Sequence, residues 1–253
     1  MIQCKTVLRG VHEMNRLRLF AIIVLGNLCC VAAAAEPLRV CILSGCPTYK
    51  SEESLPPFQE WLEKNYDVKC TRLVRSGDAF PDLQKLDECD VVFVFFKRTN
   101  LKDEQLEKFK RVVTSGKPIV AVRTASHAVQ TWLAFDKEVL GGNYHGHYDH
   151  NIECKLNATP GGQQHPILAG VDLTSVKDAL YKNEGHAGDI NVLLEGAIAN
   201  QPSVAVGWTR EVNGGRVFYT SLGAQDTFQL PAFRRMLANA LFWAAKRETA
   251  GPS

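Results

Sequence analysis

The chain has 253 residues, 45% hydrophobic and 22% charged, enough to bury one large core and too ordinary in composition for a disordered or low-complexity protein. A formal net charge of +2, with no long run of Lys and Arg, excludes the strongly basic class that tracks nucleic acid or coats an acidic membrane.

The amino terminus carries a targeting pattern. Met14-Asn-Arg-Leu-Arg18 is a basic start, Leu19 to Cys30 an apolar stretch, and Ala33-Ala-Ala35 a small-residue exit before Glu36. This predicts a signal peptide over residues 1–35, with 1–13 an upstream extension, and a single domain over 36–253. The apolar stretch is short for a bilayer, so the expectation is a secreted or periplasmic protein without stable membrane insertion. Beyond it stand Cys41, Cys46, Cys70, Cys89 and Cys154, an odd number, so at least one stays free or pairs between chains. Cys41 falls in an apolar strand pattern and reads as a small core residue; none of the five has metal-site spacing.

From Leu38 the pattern alternates strand and helix. Leu38 to Leu43 is a continuous apolar run suited to a strand buried on both faces. A short helix over Pro57 to Lys64 and a strand over Val68 to Val74 follow. Val91 to Phe96 is the strongest strand signal, and a helix runs from about Lys102 to Thr114 before Gly116 and Pro118. Ile119 to Val122 then enters a sharp turn of small residues, with a helix-like segment near Ser126 and a helix through Trp132 and Leu140. Gly141-Gly142 opens a polar, His-rich segment. Strands are expected at Ile152 to Asn157, Val192 to Leu194, Val204 to Thr209 and Arg216 to Thr220, the last two joined by the hairpin signal Asn213-Gly-Gly215. Phe233, Met236, Leu237, Ala240, Leu241 and Ala244 make one apolar stripe on a helix over Pro231 to Arg247. The whole reads as α/β: a doubly wound, mostly parallel sheet with antiparallel additions at one edge.

Pro118-Ile-Val-Ala-Val-Arg-Thr-Ala-Ser-His127 has the strand–turn–helix form of a nucleophile elbow, with Arg123 where a Ser or Cys would stand. Arg123 there can clamp an oxyanion or carboxylate, or can hold loops together as an ion-pair member. Thr124, Ser126 and nearby backbone N–H groups offer further donors to a ligand. His145 and His147 share a face if their segment is extended, and suit a divalent metal such as zinc, with Asp149, His150, His127 or His165 as a third ligand. The competing reading is a polar wall of a sugar pocket, in which Tyr144 and Tyr148 supply stacking faces and His165 a polar contact.

Arg123-Thr-Ala-Ser-His127, Gly141-Gly-Asn-Tyr-His-Gly-His-Tyr148, His165-Pro-Ile-Leu168 with Gly170-Val171, and Gly215-Arg-Val-Phe-Tyr-Thr-Ser-Leu-Gly223 together resemble the ThuA-like, or trehalose-utilisation, family over roughly residues 38–247. The resemblance implies a flavodoxin-like sheet of the class I glutamine amidotransferase type with its nucleophile lost. Arg123 stands at the cysteine position and no His-Pro-Glu sequence follows Ser221-Leu-Gly-Ala224, which excludes glutamine hydrolysis by that mechanism. Ala224 departs from the family, whose members often continue Leu-Gly-His.

The family's association with carbohydrates, including disaccharides oxidised at C3, implies a small-molecule carbohydrate partner and a lyase or hydrolase chemistry. A C3 ketone acidifies the C2 proton, so a base can remove it and expel the C1 substituent. The expected roles are His145 or His147 as base or metal ligand, Arg123 facing the enolate oxygen, and His127 as a second proton carrier. The alternative is a non-catalytic secreted sugar-binding module.

Overall fold

The computed structural model describes residues 36–249; the expected signal peptide lies outside the described residues. A nine-stranded sheet has the order β2-β1-β3-β4-β11-β10-β9-β6-β7. Its first half is parallel: β1 (Leu38–Gly45) lies between β2 (Val68–Val74) and β3 (Val91–Phe96), and β4 (Ile119–Val122) between β3 and β11 (Gly215–Thr220). The other half is antiparallel: β10 (Val204–Val212), β9 (Asn191–Ala197), β6 (Ile152–Ala158) and β7 (Ser175–Asp178). The antiparallel additions expected at one edge are four strands of the nine. A separate ribbon pairs β5 (Tyr144–His147) with β8 (Tyr181–Asn183).

The central strands are apolar throughout because both faces are covered. In β3, Val91, Phe93 and Phe95 enter one core with α1 (Ser51–Asn65), while Val92, Val94 and Phe96 enter the other with α2 (Asp103–Thr114). All six are fully buried, each Phe contributing roughly 1.5–3 kcal/mol. The carboxyl-terminal helix packs Phe233, Met236, Leu237, Ala240 and Leu241 into the first core.

Two expectations need correction. The first helix begins at Ser51, not Pro57, and carries Pro56 and Pro57 inside it. Glu52 and Glu53, whose carbonyls the prolines leave without helical donors, are exposed, so water serves them instead. The expected helix through Trp132 and Leu140 is a series of turns closing in one π turn, Asp136–Leu140, with Gly141 left-handed at φ 79°. Leu133 and Ala134 are exposed, and the chain here follows the site rather than an apolar stripe.

Candidate functional site

Strand β4 ends fully buried at Val122, and the chain passes into a tight 3-10 turn over Arg123–His127. Arg123 takes φ +52°, the left-handed conformation that an elbow demands and a non-glycine residue resists. Two contacts hold it there: the Tyr219 hydroxyl donates to the Arg123 carbonyl (2.8 Å), and the Thr124 hydroxyl donates to Phe96 O at the end of β3 (2.9 Å).

The Arg123 guanidinium is completely buried. Its Nη1 lies 2.7 Å from Asp178 Oδ1 and also donates to Ala179 O (2.8 Å) and Ser221 O (2.6 Å), while Nη2 donates to the Tyr49 hydroxyl (2.9 Å). The cation is sandwiched between the Tyr49 ring (4.1 Å) and the Tyr181 ring (4.7 Å). Asp178 is the last residue of β7, the far edge strand, so the sheet bends until its last strand meets its centre. Its Oδ2 accepts from Gly223 N, Ala224 N and the Thr227 hydroxyl, at 3.0, 3.1 and 3.1 Å, and its Oδ1 also accepts from Ala179 N at 2.9 Å. Burial lowers the guanidinium's proton affinity, but Asp178, Tyr181 and Tyr49 together outweigh it and raise the pKa above arginine's ordinary value. Both Asp178 oxygens and both Arg123 Nη atoms have partners, as a tolerated buried ion pair requires, while the guanidinium Nε is buried without an acceptor.

Around this pair runs a continuous series of rings. His127 stacks on Tyr144 (4.5 Å between centroids), Tyr144 meets Tyr181 (4.6 Å), Tyr181 meets His147 (6.4 Å), His147 meets His150 (4.6 Å), and His150 meets Tyr49 (6.2 Å). A cleft opens at each end. One, about 380 Å³, is bounded by Tyr49, His150, Asp178, Lys177 and Ala224; the other, about 350 Å³, by Arg98, Ser126, His127, Asp136, Asn143 and Tyr144. Both fall in the size range of small-molecule sites.

Two titratable groups of the second cleft are displaced in opposite senses. Burial, reinforced by Arg98, Lys97 and Arg123, pushes His127 down to about 3, so its ring is neutral; Ser126 Oγ lies 3.0 Å from its Nδ1. Burial pushes the Asp136 carboxyl up to about 7, against the single lowering hydrogen bond from Tyr144 N (2.8 Å). The unfolded chain binds more protons than the fold at His127 between pH 3 and 6.5, so that group makes stability rise with pH. The fold binds more at Asp136 between about pH 4 and 7, so that group's stabilisation is complete below pH 4 and lost as pH rises to 7. Over the shared window the slopes oppose one another, each at most about 1.4 kcal/mol per pH unit. Asp136→Asn should leave a stability that climbs more steeply from pH 4 to 6.5 than the parent's, and His127→Phe the reverse tilt. Urea midpoints across that range check it; parallel profiles for all three proteins would dismiss the assignment.

Arg123, His127, Ser126, Tyr144 and His147 come together at this edge, with His150, named in the sequence only as a third-ligand candidate. Arg123 has no exposed surface and gives its Nη donors to the protein; its Nε is without an acceptor, and the residue borders the cleft of about 380 Å³. The Thr124 hydroxyl is likewise committed to the fold. His145 is exposed and stands apart from the rings, because Gly146 at φ +118° and an irregular register between Tyr144 and His147 break the alternation that would set it beside His147. Tyr148 packs on the core beneath Lys182, whose ammonium lies 4.6 Å from its ring.

His165 lies away from the cluster. It caps the turn Pro166–Leu168 and meets Trp243 at 5.2 Å, and Trp243 O is bonded by Arg216 near the start of β11, whereas the rings gather beyond strand carboxyl ends. His147 and His150 give two imidazoles without a third donor, and among the described residues no group of three or more His, Cys, Asp or Glu side chains could hold a metal ion. The described residues do not fit a bound zinc.

Tyr49, Asp136, Asp178 and Tyr181 are site residues that sequence reasoning passed over. The one local signal was Gly141-Gly142: a Cβ on Gly142 would sit 2.4 Å from Asp136 Oδ1. Gly142→Ala should therefore displace the Asp136 carboxyl from Tyr144 N, costing about 1–3 kcal/mol, as measured by denaturant titration. An unchanged midpoint would show that the turn yields freely.

The model of a family named ThuA and described as trehalose utilisation matches residues 39–244. The chain belongs to the ThuA family. No curated protein matches it in sequence. Among solved structures it is similar to a ThuA-like protein from Parabacteroides merdae, with a TM-score of 0.68 and 17% identity over 86% of this chain and 93% of that one. A ThuA-like protein from Bacteroides uniformis gives 0.63 and 16%, over 88% and 98%. A cold-adapted β-galactosidase from Rahnella sp. R3 gives 0.56 and 13%, over 83% of this chain but 32% of that enzyme. At these identities the likenesses establish the fold of this ThuA-family protein, a mostly parallel α/β sheet. No helix among the described residues is long and apolar enough to cross a membrane.

Proposed function

We propose that this ThuA-family protein processes a disaccharide or glycoside oxidised at C3, by elimination at the ring-lined edge. The observation that carries the reading is the unbroken series of rings from His127 to Tyr49, with a neutral buried imidazole at one end and exposed imidazoles in the middle. Half-buried Tyr144 supplies a face for a sugar ring. A neutral imidazole carries one N–H donor, and His127 directs it at the C3 oxygen, where negative charge develops. His147, open to solvent, takes the C2 proton. The electron pair forms the enolate, returns to regenerate the C3 ketone, and leaves a C1=C2 double bond as the C1–O bond breaks. His150 gives a proton to the departing oxygen, and later addition of water completes a net hydrolysis. Arg123 acts by position: it fixes Tyr49 and Asp178 and thereby the loop 223–227.

The test is incubation of the purified protein with a 3-keto-disaccharide and its unoxidised parent in D₂O. Release of the C1 substituent from the keto sugar alone, with deuterium at C2, is the expected result; release without deuterium would replace elimination by direct displacement. Ala224 favours a second reading, a sugar-binding module, because it presents only a methyl group to the cleft where family members often carry His. Binding of the sugar without turnover would select that reading.

A further inference from the structure

At the opposite side of β1 from the ring-lined edge's α1 core, two thiols converge. Cys41 of β1 and Cys89, just before β3, are both buried and belong to the same core. Their sulfurs reach consecutive carbonyls of one 3-10 turn: Cys41 Sγ to Lys85 O (3.3 Å) and Cys89 Sγ to Leu86 O (3.4 Å). The strands hold this meeting in place: Arg39 N and guanidinium both bond Asp90, and Val40 is in register with Val91. Both cysteines border a small cleft of about 160 Å³ whose charged walls are Arg39, Lys69, Lys85 and Glu88, and Lys117 Nζ donates to Cys89 O (2.7 Å).

We propose that Cys41 and Cys89 form a disulfide-exchanging pair, with Cys89 the attacking thiol and Cys41 the resolving one, and with an anionic low-molecular-weight disulfide of the glutathione type as oxidant. Arg39 and Lys85 are paired with Asp90 and Asp82, so Lys69 in the cleft wall, with Lys117 beside Cys89, is the positive charge that favours a thiolate and a carboxylate-bearing disulfide. The two sulfurs are already unequal: the Cys41 contact and then Lys117 bring Cys89 below its ordinary value against the effect of burial, while Cys41 is raised by Cys89 and by burial. The Cys89 thiolate attacks one sulfur of the oxidant, forming a mixed disulfide and releasing one small thiolate. Cys41 then gives up its proton and attacks the Cys89 sulfur, forming the internal bond and releasing the second small thiolate. Two protein thiols are oxidised and one small disulfide is reduced to two thiols. The product ties β1 to the entry of β3 across the segment that holds α1 and β2.

The full chain is equilibrated in glutathione buffers of graded potential, quenched by alkylation in denaturant, and mapped by peptide mass spectrometry, which keeps Cys4, Cys29 and Cys30 separate. The expected result is one internal bond joining the Cys41 and Cys89 peptides, lighter by two hydrogens, with Cys46, Cys70 and Cys154 alkylated. Cys41→Ser should trap glutathione on Cys89, Cys89→Ser should trap none on Cys41, and circular dichroism confirms that both variants fold. Oxidation should raise the thermal midpoint of the parent and leave that of Cys41→Ser unmoved. Full alkylation of Cys41 and Cys89 at every potential, or a different pairing, would overturn the proposal, as would a folded Cys41→Ser without an adduct. None of these readouts involves sugar turnover.

Discussion

Asp178→Ala is expected to destabilise the fold by about 3–5 kcal/mol. The guanidinium of Arg123 would remain completely buried with its countercharge gone, and the Gly223 and Ala224 amides and the Thr227 hydroxyl would lose their acceptor together. That loss is a large part of a domain's total stability, about 5–15 kcal/mol. Arg123→Met in the same chain should recover much of it, because an apolar side chain of similar length leaves no unpaired charge between Tyr49 and Tyr181. A double-mutant cycle in urea reads both effects. Single and double variants that add independently, or an Asp178→Ala chain within about 1 kcal/mol of the parent, would show that the pair is not coupled as its geometry requires.

The second large effect concerns turnover. His147→Ala should lower the rate on a 3-keto-disaccharide by about 10²–10⁴-fold, the range for removal of a positioned proton acceptor, while sugar binding changes little. His145→Ala, two residues away and equally exposed, should leave the rate near the parent's because its ring faces none of the others. The contrast is informative because sequence treats the two histidines as equivalent. Equal losses in both variants would mean that the segment binds as a unit, and the elimination scheme would lose its base. A fall in apparent affinity with unchanged kcat would move His147 from proton transfer to sugar contact.

The parallel core was legible because its physics is local. Val91 to Phe96 is apolar at every position, which only a strand covered on both faces requires, and Ile119 to Val122 says the same of β4. The elbow was legible from the same run, since a short buried strand followed by small residues has few other geometries. Asp178 was not, because it stands in an unremarkable edge strand and becomes a site residue only when the sheet bends to bring β7 onto Arg123. Tyr49 and Tyr181 were hidden in the same way: a tyrosine's spacing does not tell whose cation it will face. The histidine pair misled for the opposite reason. Period-two alternation holds only while the backbone stays extended, and Gly146 leaves that region between the two rings.

The insertion of β11 beside β4 has a consequence for the order in which the chain can assemble. The register Val217↔Ile119 to Thr220↔Val122 joins segments nearly a hundred positions apart, so the middle of the sheet waits until β11 has left the ribosome. Until then β4 presents an open, wholly apolar border, the kind of surface that nascent chains hide with chaperones. A ribosome-bound series stalled at successive lengths should gain protease resistance abruptly once β11 has emerged, rather than by increments as each βα unit is completed.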